Sequence, residues 1–405
     1  MTDDILFSRG TIGTLDLPNR LVRAGTSESM AGVDGEVTEE LASLYQRLAG
    51  NRVGLIVTGH LFCHPRGRYA VGQTGIHSDD LLPGLRHLVD VVHGSGGRIF
   101  AQLAHAGSQS RVPGNRPLAP SPIPNPLTGA SVEAASEPDI AEAIDSFRLA
   151  AGRAVAARFD GVHIHGANGY LISEFASAVT NRRDDEWGGS ETARDRFPLA
   201  VVQAVRDAVP ADYPVTMKMG LVDAMPGGVD LAESTRRAAV LVAAGVDAIE
   251  VSCGLMQAPT DSAATYVAVD RARAFQDLLF HRLLAGPTPE AYFRQWAEAL
   301  RERVSTTIIL VGGIRTTAVM RQVLSDGAAD FIALSRPLIR EPDLVAQIEA
   351  GREGRVACTS CNLCLLHEGH HSLRCWRTPR VRLLEHLVYR LTGGFKKAPV
   401  VPTQH

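Results

Sequence analysis

The sequence has little of several features that point to particular classes of protein. No apolar run approaches the roughly 20 residues of a membrane-spanning helix, and residues 1–9 carry Asp3 and Asp4 where a signal peptide would be apolar. The formal net charge is only -3 over 405 residues, and the basic residues form no stripe. We therefore predict a cytoplasmic protein with a small-molecule substrate and with neither nucleic acid nor membrane as a partner.

Cysteine is also scarce, with six residues, and it is unevenly distributed. Cys63 and Cys253 are isolated, whereas the other four lie close together near the end of the chain. These four are Cys358, Cys361, Cys364 and Cys375. In a reducing compartment such a group indicates metal ligation and not disulfides. An iron–sulfur cluster, a zinc site that also draws on the histidines at 367–371, and a vestigial group of free thiols all stay open.

The chain does have a regular alternation of short apolar segments and helical stretches. Eight apolar segments have the length of buried strands, at 21–24, 53–58, 98–103, 161–165, 214–219, 247–252, 307–311 and 330–334. Helical periodicity between most of them, as at 231–244 and 317–326, predicts parallel strands joined by helices. Eight such units predict an α/β fold of the (β/α)8 TIM barrel type. A doubly wound sheet is disfavoured, because 24–27 is not a glycine-rich phosphate loop.

The residues in excess of a barrel lie in one loop and in the tail. Residues 108–138 are rich in proline, which predicts irregular chain that runs extended over the barrel mouth. We assign residues 1–345 to the barrel. Residues 346–405 are predicted to form a C-terminal extension that holds the four-cysteine group and a terminal helix at 381–391.

The turn after the fourth predicted strand carries the clearest chemical signal. It places His165, Asn168 and Tyr170 within six residues, and Gly166 and Gly169 permit a tight turn close to a ligand. Chemistry at the C-terminal end of a strand is typical of barrels. Each polar residue also has a structural interpretation, as a core histidine, a turn asparagine or a packed aromatic. Together they can bind and protonate a polarised carbonyl compound.

The string that contains this turn resembles a known family signature. Its HGANGYL core and NRRDDEWGGS continuation, within 161–197, are similar to the fourth-strand signature of the Old Yellow Enzyme family of FMN-dependent NAD(P)H oxidoreductases. Supporting segments follow the family order: NRLVRAGTSESM at 19–30, AQLAHAG at 101–107, VTMKMG at 215–220, VGGI at 311–314 and LSRPLIREP at 334–342. The resemblance covers residues 6–340 and implies an FMN-binding barrel.

The resemblance also implies catalytic roles. His165 and Asn168 would bind the substrate oxygen, reduced flavin N5 would give hydride to the β-carbon, and Tyr170 would protonate the α-carbon. Two preplaced donors suit the enolate charge that develops, and tyrosine keeps its proton at neutral pH. We expect an ene-reductase whose flavin is reduced by NADH, NADPH or a redox partner protein. The alternatives are a dehydrogenase or oxidative demethylase of an amine, and an electron-transfer subunit.

Residues that bind FMN are implied in the same way. Gln102 would pair with the pyrimidine edge, Lys218 would lie beside N1 and O2, and the hydroxyl of Thr26 would lie near O4. The residues implied for the phosphate are Gly312, Gly313, Ser335 and Arg336. The chain departs from the family at Gly25-Thr26-Ser27 and at Ser335, which leaves open whether Thr26 or Ser27 contacts the flavin.

The cysteine group resembles the four-iron four-sulfur site of larger relatives such as dienoyl-CoA reductases and trimethylamine dehydrogenase. Two residues separate its second and third cysteines, where those relatives have three. The relatives continue into FAD- and NAD-binding domains, which are not expected within the 405 residues here. A cluster would therefore exchange electrons with a separate protein or serve structurally. A homo-oligomer is a further open alternative.

Overall fold

A computed structural model describes residues 4–125, 129, 131–256 and 290–396 of the chain. Pro126 of the long loop and the tail after residue 396 lie outside this range. In the described part of the chain, no helix is both long enough and apolar enough to cross a membrane.

The described residues form a barrel of alternating strands and helices. The strands are β1 (Gly10–Ile12), β2 (Leu15–Leu17), β3 (Leu21–Arg23), β4 (Leu55–Phe62), β5 (Ile99–Ala104), β6 (Leu118–Ala119), β7 (Glu133–Ala134), β8 (Gly161–Gly166), β9 (Val215–Ala224), β10 (Ala248–Met256), β11 (Thr307–Val311) and β12 (Phe331–Leu334). The helices are α1 (Glu39–Gly50), α2 (Leu82–Gly94), α3 (Glu137–Ala156), α4 (Leu171–Ala176), α5 (Glu191–Asp207), α6 (Leu231–Ala243), α7 (Arg294–Arg301), α8 (Thr317–Ser325), α9 (Arg336–Arg340), α10 (Leu344–Glu349), α11 (Leu363–Leu366) and α12 (Val381–Leu391).

Eight of the strands are parallel and close on themselves, which confirms the predicted (β/α)8 barrel. Their order around the barrel is β3, β4, β5, β8, β9, β10, β11 and β12, and β12 pairs with β3 to complete the ring. All eight correspond to predicted segments. Three of them, β4, β9 and β10, run four or more residues beyond the predicted ends, because pairing resumes after a register shift in each case.

The antiparallel hairpin β1–β2 precedes the barrel. Its Ile12 and Leu17 are fully buried in a cluster with Phe100 and Phe331, which lie inside the barrel strands. The hairpin therefore seals the N-terminal end of the barrel with apolar side chains, so that the polar chemistry is confined to the opposite end.

The proline-rich loop 108–138 is largely irregular, as predicted, but the expectation of no regular structure was wrong for β6 and β7. These two short strands pair in parallel, with Leu118 opposite Glu133. Pro117 and Pro120 flank β6, and so the missing prolyl N–H groups fall outside the strand itself.

The C-terminal segment packs against the barrel. Ile348 and Val356 are buried in the main core, whereas Leu363 and Trp376 form a small separate cluster with Leu383 of α12. The terminal helix lies where the sequence predicted it. The division into two units at residue 345 stays a prediction.

Candidate active site

A cavity of about 540 Å³ opens at the C-terminal ends of the barrel strands. The eleven barrel residues that the sequence singled out all line it: Thr26, Ser27, Gln102, Lys218, His165, Asn168, Tyr170, Gly312, Gly313, Ser335 and Arg336. Residues separated by up to 310 positions therefore meet at one surface. Their individual roles stay predictions.

One wall of this cavity carries polar groups from the turn after β8. The backbone N–H of Ala167 donates to His165 Nδ1 at 3.4 Å. Burial, followed by the nearby rings and the Lys218 cation, lowers the pKa of His165 well below its usual value, so the ring is neutral. A neutral ring that accepts at Nδ1 carries its proton on Nε2. His165 is therefore a hydrogen-bond donor at Nε2.

The conformation of the turn is held by its neighbours. Asn168 adopts a left-handed conformation with φ of 59°, and its backbone N–H donates to Cys253 O at 2.9 Å. Gln109 Nε2 donates to the backbone oxygens of Asn168 and Gly169 at 2.7 and 2.8 Å. The ring of Tyr170 then lies 4.7 Å from that of His165, centroid to centroid. Asn168 and Tyr170 both make further contacts within the folded chain.

His60 and Tyr69 also belong to this wall, and neither was predicted from the sequence as a site residue. The rings of His60 and Tyr170 meet edge to face at 5.5 Å, and Tyr170 Oη is 3.4 Å from His60 Nε2. Tyr69 packs 5.8 Å from Tyr170. His60 lies two residues beyond the predicted end of the second strand, so an underestimated strand length concealed it.

Lys218 lies at the base of the cavity in a buried charge network. Its ammonium forms an ion pair with Glu250, which itself lies 3.1 Å from His163 Nε2. Burial alone would raise the pKa of Glu250, but the ammonium and the imidazole lower it to about 2. Glu250, on the neighbouring strand β10, was not foreseen from the sequence.

Gln102 presents an unsatisfied amide to the same cavity. Its Nε2 is buried and has no hydrogen-bond partner among the described residues. Gly25 leaves room for this amide, because a Cβ at residue 25 would collide with it. A buried amide without a partner is costly, and so this end of the cavity fits a ligand with a polar planar edge, as in the flavin pyrimidine.

A second part of the cavity, which we call the arginine end, has anion-binding character. Gly312 and Gly313 have positive φ values of 116° and 71°, and a Cβ at Gly312 would lie 2.7 Å from the Tyr292 ring. Arg315 and Arg336 both line this end. Burial and the Arg336 cation lower the pKa of Arg315, and Arg315 Nε is buried without a partner in the described structure. Two cations here fit a phosphate dianion.

Arg315 was not predicted, although it follows the glycine pair by two residues. Ser335 joins this end to the start of the barrel, since its hydroxyl and that of Thr26 are 2.8 Å apart. Thr26 also donates to Ala24 O at 2.9 Å. Ser27 contacts Glu368, whose pKa is raised by burial. Thr26 and Ser27, the two candidates for a flavin contact, therefore have different hydrogen-bond partners, and both line the cavity.

The four clustered cysteines line a second, smaller cavity beside the first. Cys358 and Arg336 belong to the walls of both. Burial, with a smaller effect of the other three thiols, raises the pKa of Cys364 to about 12, although the Arg336 cation opposes this shift. No three His, Cys, Asp or Glu side chains in the described ranges are close enough to hold a single metal ion. His367 instead stacks on Trp376 at 3.6 Å.

Comparison with known sequences gives one family and several relatives. Residues 5–355 match the NADH:flavin oxidoreductase / NADH oxidase family. The chain is 34% identical over 365 residues to an NADH oxidase of Thermoanaerobacter brockii, covering 88% of this chain and 53% of that protein. It is 36% identical over 367 residues to a metal reductase of Desulforamulus reducens, covering 90% and 52%. The chain thus spans about half the length of these two relatives.

Comparison with solved structures also identifies related folds. A 2-naphthoyl-CoA reductase complex superposes with a TM-score of 0.82 at 23% identity, over 94% of this chain and 57% of that one. An old yellow enzyme homologue from Zymomonas mobilis has a TM-score of 0.71 at 25% identity, over 88% of this chain and 96% of that one. The first likeness concerns the fold alone.

Proposed function

The chain belongs to the NADH:flavin oxidoreductase / NADH oxidase family, of the Old Yellow Enzyme type, and on that premise we propose that it is an FMN-dependent ene-reductase. The reaction adds a hydride and a proton across an activated C=C bond, such as that of an α,β-unsaturated carbonyl compound, and oxidises NADH or NADPH. The observation that best supports this activity is that His165, Asn168 and Tyr170 lie together on one wall of the cavity. Gln102 and Lys218 line the same cavity.

The wall chemistry supports this reaction. The neutral His165 ring has its proton on Nε2, and Asn168 carries an amide donor, so two uncharged donors can hold the substrate oxygen. Negative charge grows on that oxygen as the C=C bond is reduced, and preplaced donors stabilise it in the transition state. Tyr170 would then give its phenolic proton to the α-carbon.

The cavity fits FMN because the buried amide of Gln102 lacks a partner among the described residues and because Arg315 and Arg336 both line the arginine end. Gln102 and Lys218 would hold the ring system, and Gly312, Gly313, Arg315 and Arg336 would hold the phosphate. FMN held by these residues would supply the hydride for the β-carbon of the substrate, with NADH or NADPH as its reductant. Lys218 would place a positive charge where the reduced ring system carries its negative charge.

Anaerobic turnover of NADH or NADPH with cyclohexenone tests the proposal. We expect Tyr170→Phe to slow the reoxidation of reduced enzyme by the enone by about 10²-fold or more, because a positioned acid contributes that much. Tyr213→Phe is the matched control, since the Tyr213 hydroxyl donates to Phe159 O and Tyr213 does not line the cavity. Equal rates for wild type and Tyr170→Phe would refute the proton-donor role. Anaerobic bleaching of the flavin by an amine would favour an amine dehydrogenase.

A second candidate activity is electron exchange through the cysteine group, and the shared walls of the two cavities favour it. All four cysteines line the smaller cavity, and four cysteines are the usual ligands of an iron–sulfur cluster. Cys358 would then lie between cluster and flavin. The visible spectrum of protein purified without oxygen tests this, since flavin bands alone would contradict a cluster.

A further inference from the structure

We propose that His60 is a positioning residue for Tyr170, and that its Nε2–H group donates to the phenol oxygen and so orients the phenol toward the substrate. This inference rests on the proposed function, in which Tyr170 is the proton donor. His60 lies in β4 and is buried, with 7% of its surface exposed, and its Nε2 is 3.4 Å from Tyr170 Oη. That distance is long for a hydrogen bond, and such contacts often tighten when a substrate binds.

The tautomer of His60 is set by Gln73. The backbone N–H of Tyr69 donates to Gln73 Oε1 at 2.6 Å, which identifies the other amide atom as the NH2 group. That NH2 group donates to His60 O at 2.9 Å and reaches His60 Nδ1 at 2.6 Å. An amide donor at Nδ1 requires a lone pair there, so the single proton of a neutral ring is on Nε2. Gln73 is itself buried.

The His60 ring is neutral over the physiological range. Burial lowers the pKa of His60 to about 4. The titratable groups packed against it are His165, at 6.3 Å between ring centroids, Tyr69 at 5.7 Å and Tyr170 at 5.5 Å. Burial lowers the pKa of His165 and raises that of Tyr69, so both are uncharged as well. Neither His165 nor Tyr69 therefore places a charge against the His60 ring.

This arrangement favours proton release by Tyr170. In the transfer step the phenolic O–H bond breaks and a C–H bond forms at the α-carbon of the substrate, which leaves a phenolate. The His60 Nε2–H group then faces a full negative charge, and a hydrogen bond to a charged oxygen is stronger than one to a neutral oxygen. His60 thus stabilises the product of proton transfer more than its reactant. A proton from water restores the phenol.

The experiment compares reoxidation of the reduced holoenzyme by cyclohexenone across a pH series for His60→Leu, His60→Gln and the wild type. We expect His60→Leu to slow the step about ten-fold and to move the high-pH limb, where Tyr170 loses its proton, about one unit upward. A glutamine amide can still donate to Tyr170, and so His60→Gln should recover most of the rate. His87→Leu, an exposed histidine outside the cavity, is the control for general damage.

A double-variant cycle separates this inference from the proposed function. If His60 acts through Tyr170, then His60→Leu has no further effect on the rate in a Tyr170→Phe background. If Tyr170→Phe slows the reaction but His60→Leu leaves both the rate and the high-pH limb unchanged, the positioning role is wrong and the proposed function stands. If Tyr170→Phe itself has no effect, the proton-donor assignment fails first. Equal slowing by His60→Leu with and without Tyr170 would show a structural effect and overturn the inference.

Discussion

Arg336 donates from Nη1 to the side-chain oxygen of Asn362 at 2.5 Å, and this bond ties the arginine end of the large cavity to the cysteine group. Asn362 lies between Cys361 and Cys364 in a left-handed conformation, with φ of 62°. The conformation of the segment from Cys361 to Cys364 therefore influences the orientation of the Arg336 guanidinium. If Arg336 holds the flavin phosphate as proposed, this side-chain contact would connect flavin binding with the state of the cysteines.

We expect Asn362→Ala to weaken FMN binding about five-fold, because Arg336 loses the acceptor that orients it, and one such hydrogen bond is worth about 1 kcal/mol. Fluorescence titration of flavin-free protein with FMN measures the change. Asn51→Ala, at the exposed end of α1, is the matched control and should bind FMN as the wild type does. Unchanged affinity in Asn362→Ala would show that Arg336 is oriented by other groups.

The Lys218–Glu250 pair leads to a prediction about stability. Lys218→Met leaves the Glu250 carboxylate buried without its cation, and breaking a buried pair typically costs about 3 to 5 kcal/mol. The double variant Lys218→Met with Glu250→Gln removes both charges and should regain most of the loss. Urea unfolding of the flavin-free proteins measures both free energies. If the double variant is no more stable than the single one, the cost does not arise from the unpaired carboxylate.

Because Glu174 is buried, we expect the free energy of unfolding of the protein to depend on pH. Glu174 is 1% exposed, and burial raises its pKa from 4.5 to about 8, partly offset by hydrogen bonds from Ser108. Between pH 4.5 and about 8, Glu174 is protonated in the folded state and ionised in the unfolded state. The contribution of Glu174 to the free energy of unfolding therefore falls as the pH rises, by at most about 1.4 kcal/mol per pH unit.

In Glu174→Gln the decline in stability between pH 5 and 8 should be smaller by about this slope. Urea unfolding of flavin-free protein at several pH values checks it, and Glu302→Gln, an exposed carboxyl, serves as the control. An equal decline in Glu174→Gln and in the wild type would mean that Glu174 is ionised in the fold over this pH range.

The cysteine group can be tested by chemical analysis. Cys375→Ser should lower the iron content of anaerobically purified protein from about four per chain, the number in a four-iron cluster, and remove the broad absorbance while the flavin bands remain. Cys63→Ser is the control, because Cys63 is a buried thiol outside both cavities. Stoichiometric zinc in place of iron would contradict the cluster, and the absence of both metals would indicate free thiols.

The sequence determined the barrel, because period and composition are local properties. Eight apolar segments alternating with helices of 3.6-residue period were enough to place all eight barrel strands. The turn from His165 to Tyr170 could be predicted as a site because its polar groups lie within six residues. The family resemblance rested on the same short strings and is confirmed by the match over residues 5–355.

The tertiary structure alone decided which distant residues meet these groups. His60 and Glu250 lie 80 or more positions from the turn residues on either side. No local pattern relates them, since the closure of the barrel brings their strands together. Gln73 sets the tautomer of His60 through three hydrogen bonds that depend on the fold of a loop. Sequence shows which groups can do chemistry, whereas their protonation and partners depend on burial and distance, which exist only in the folded chain.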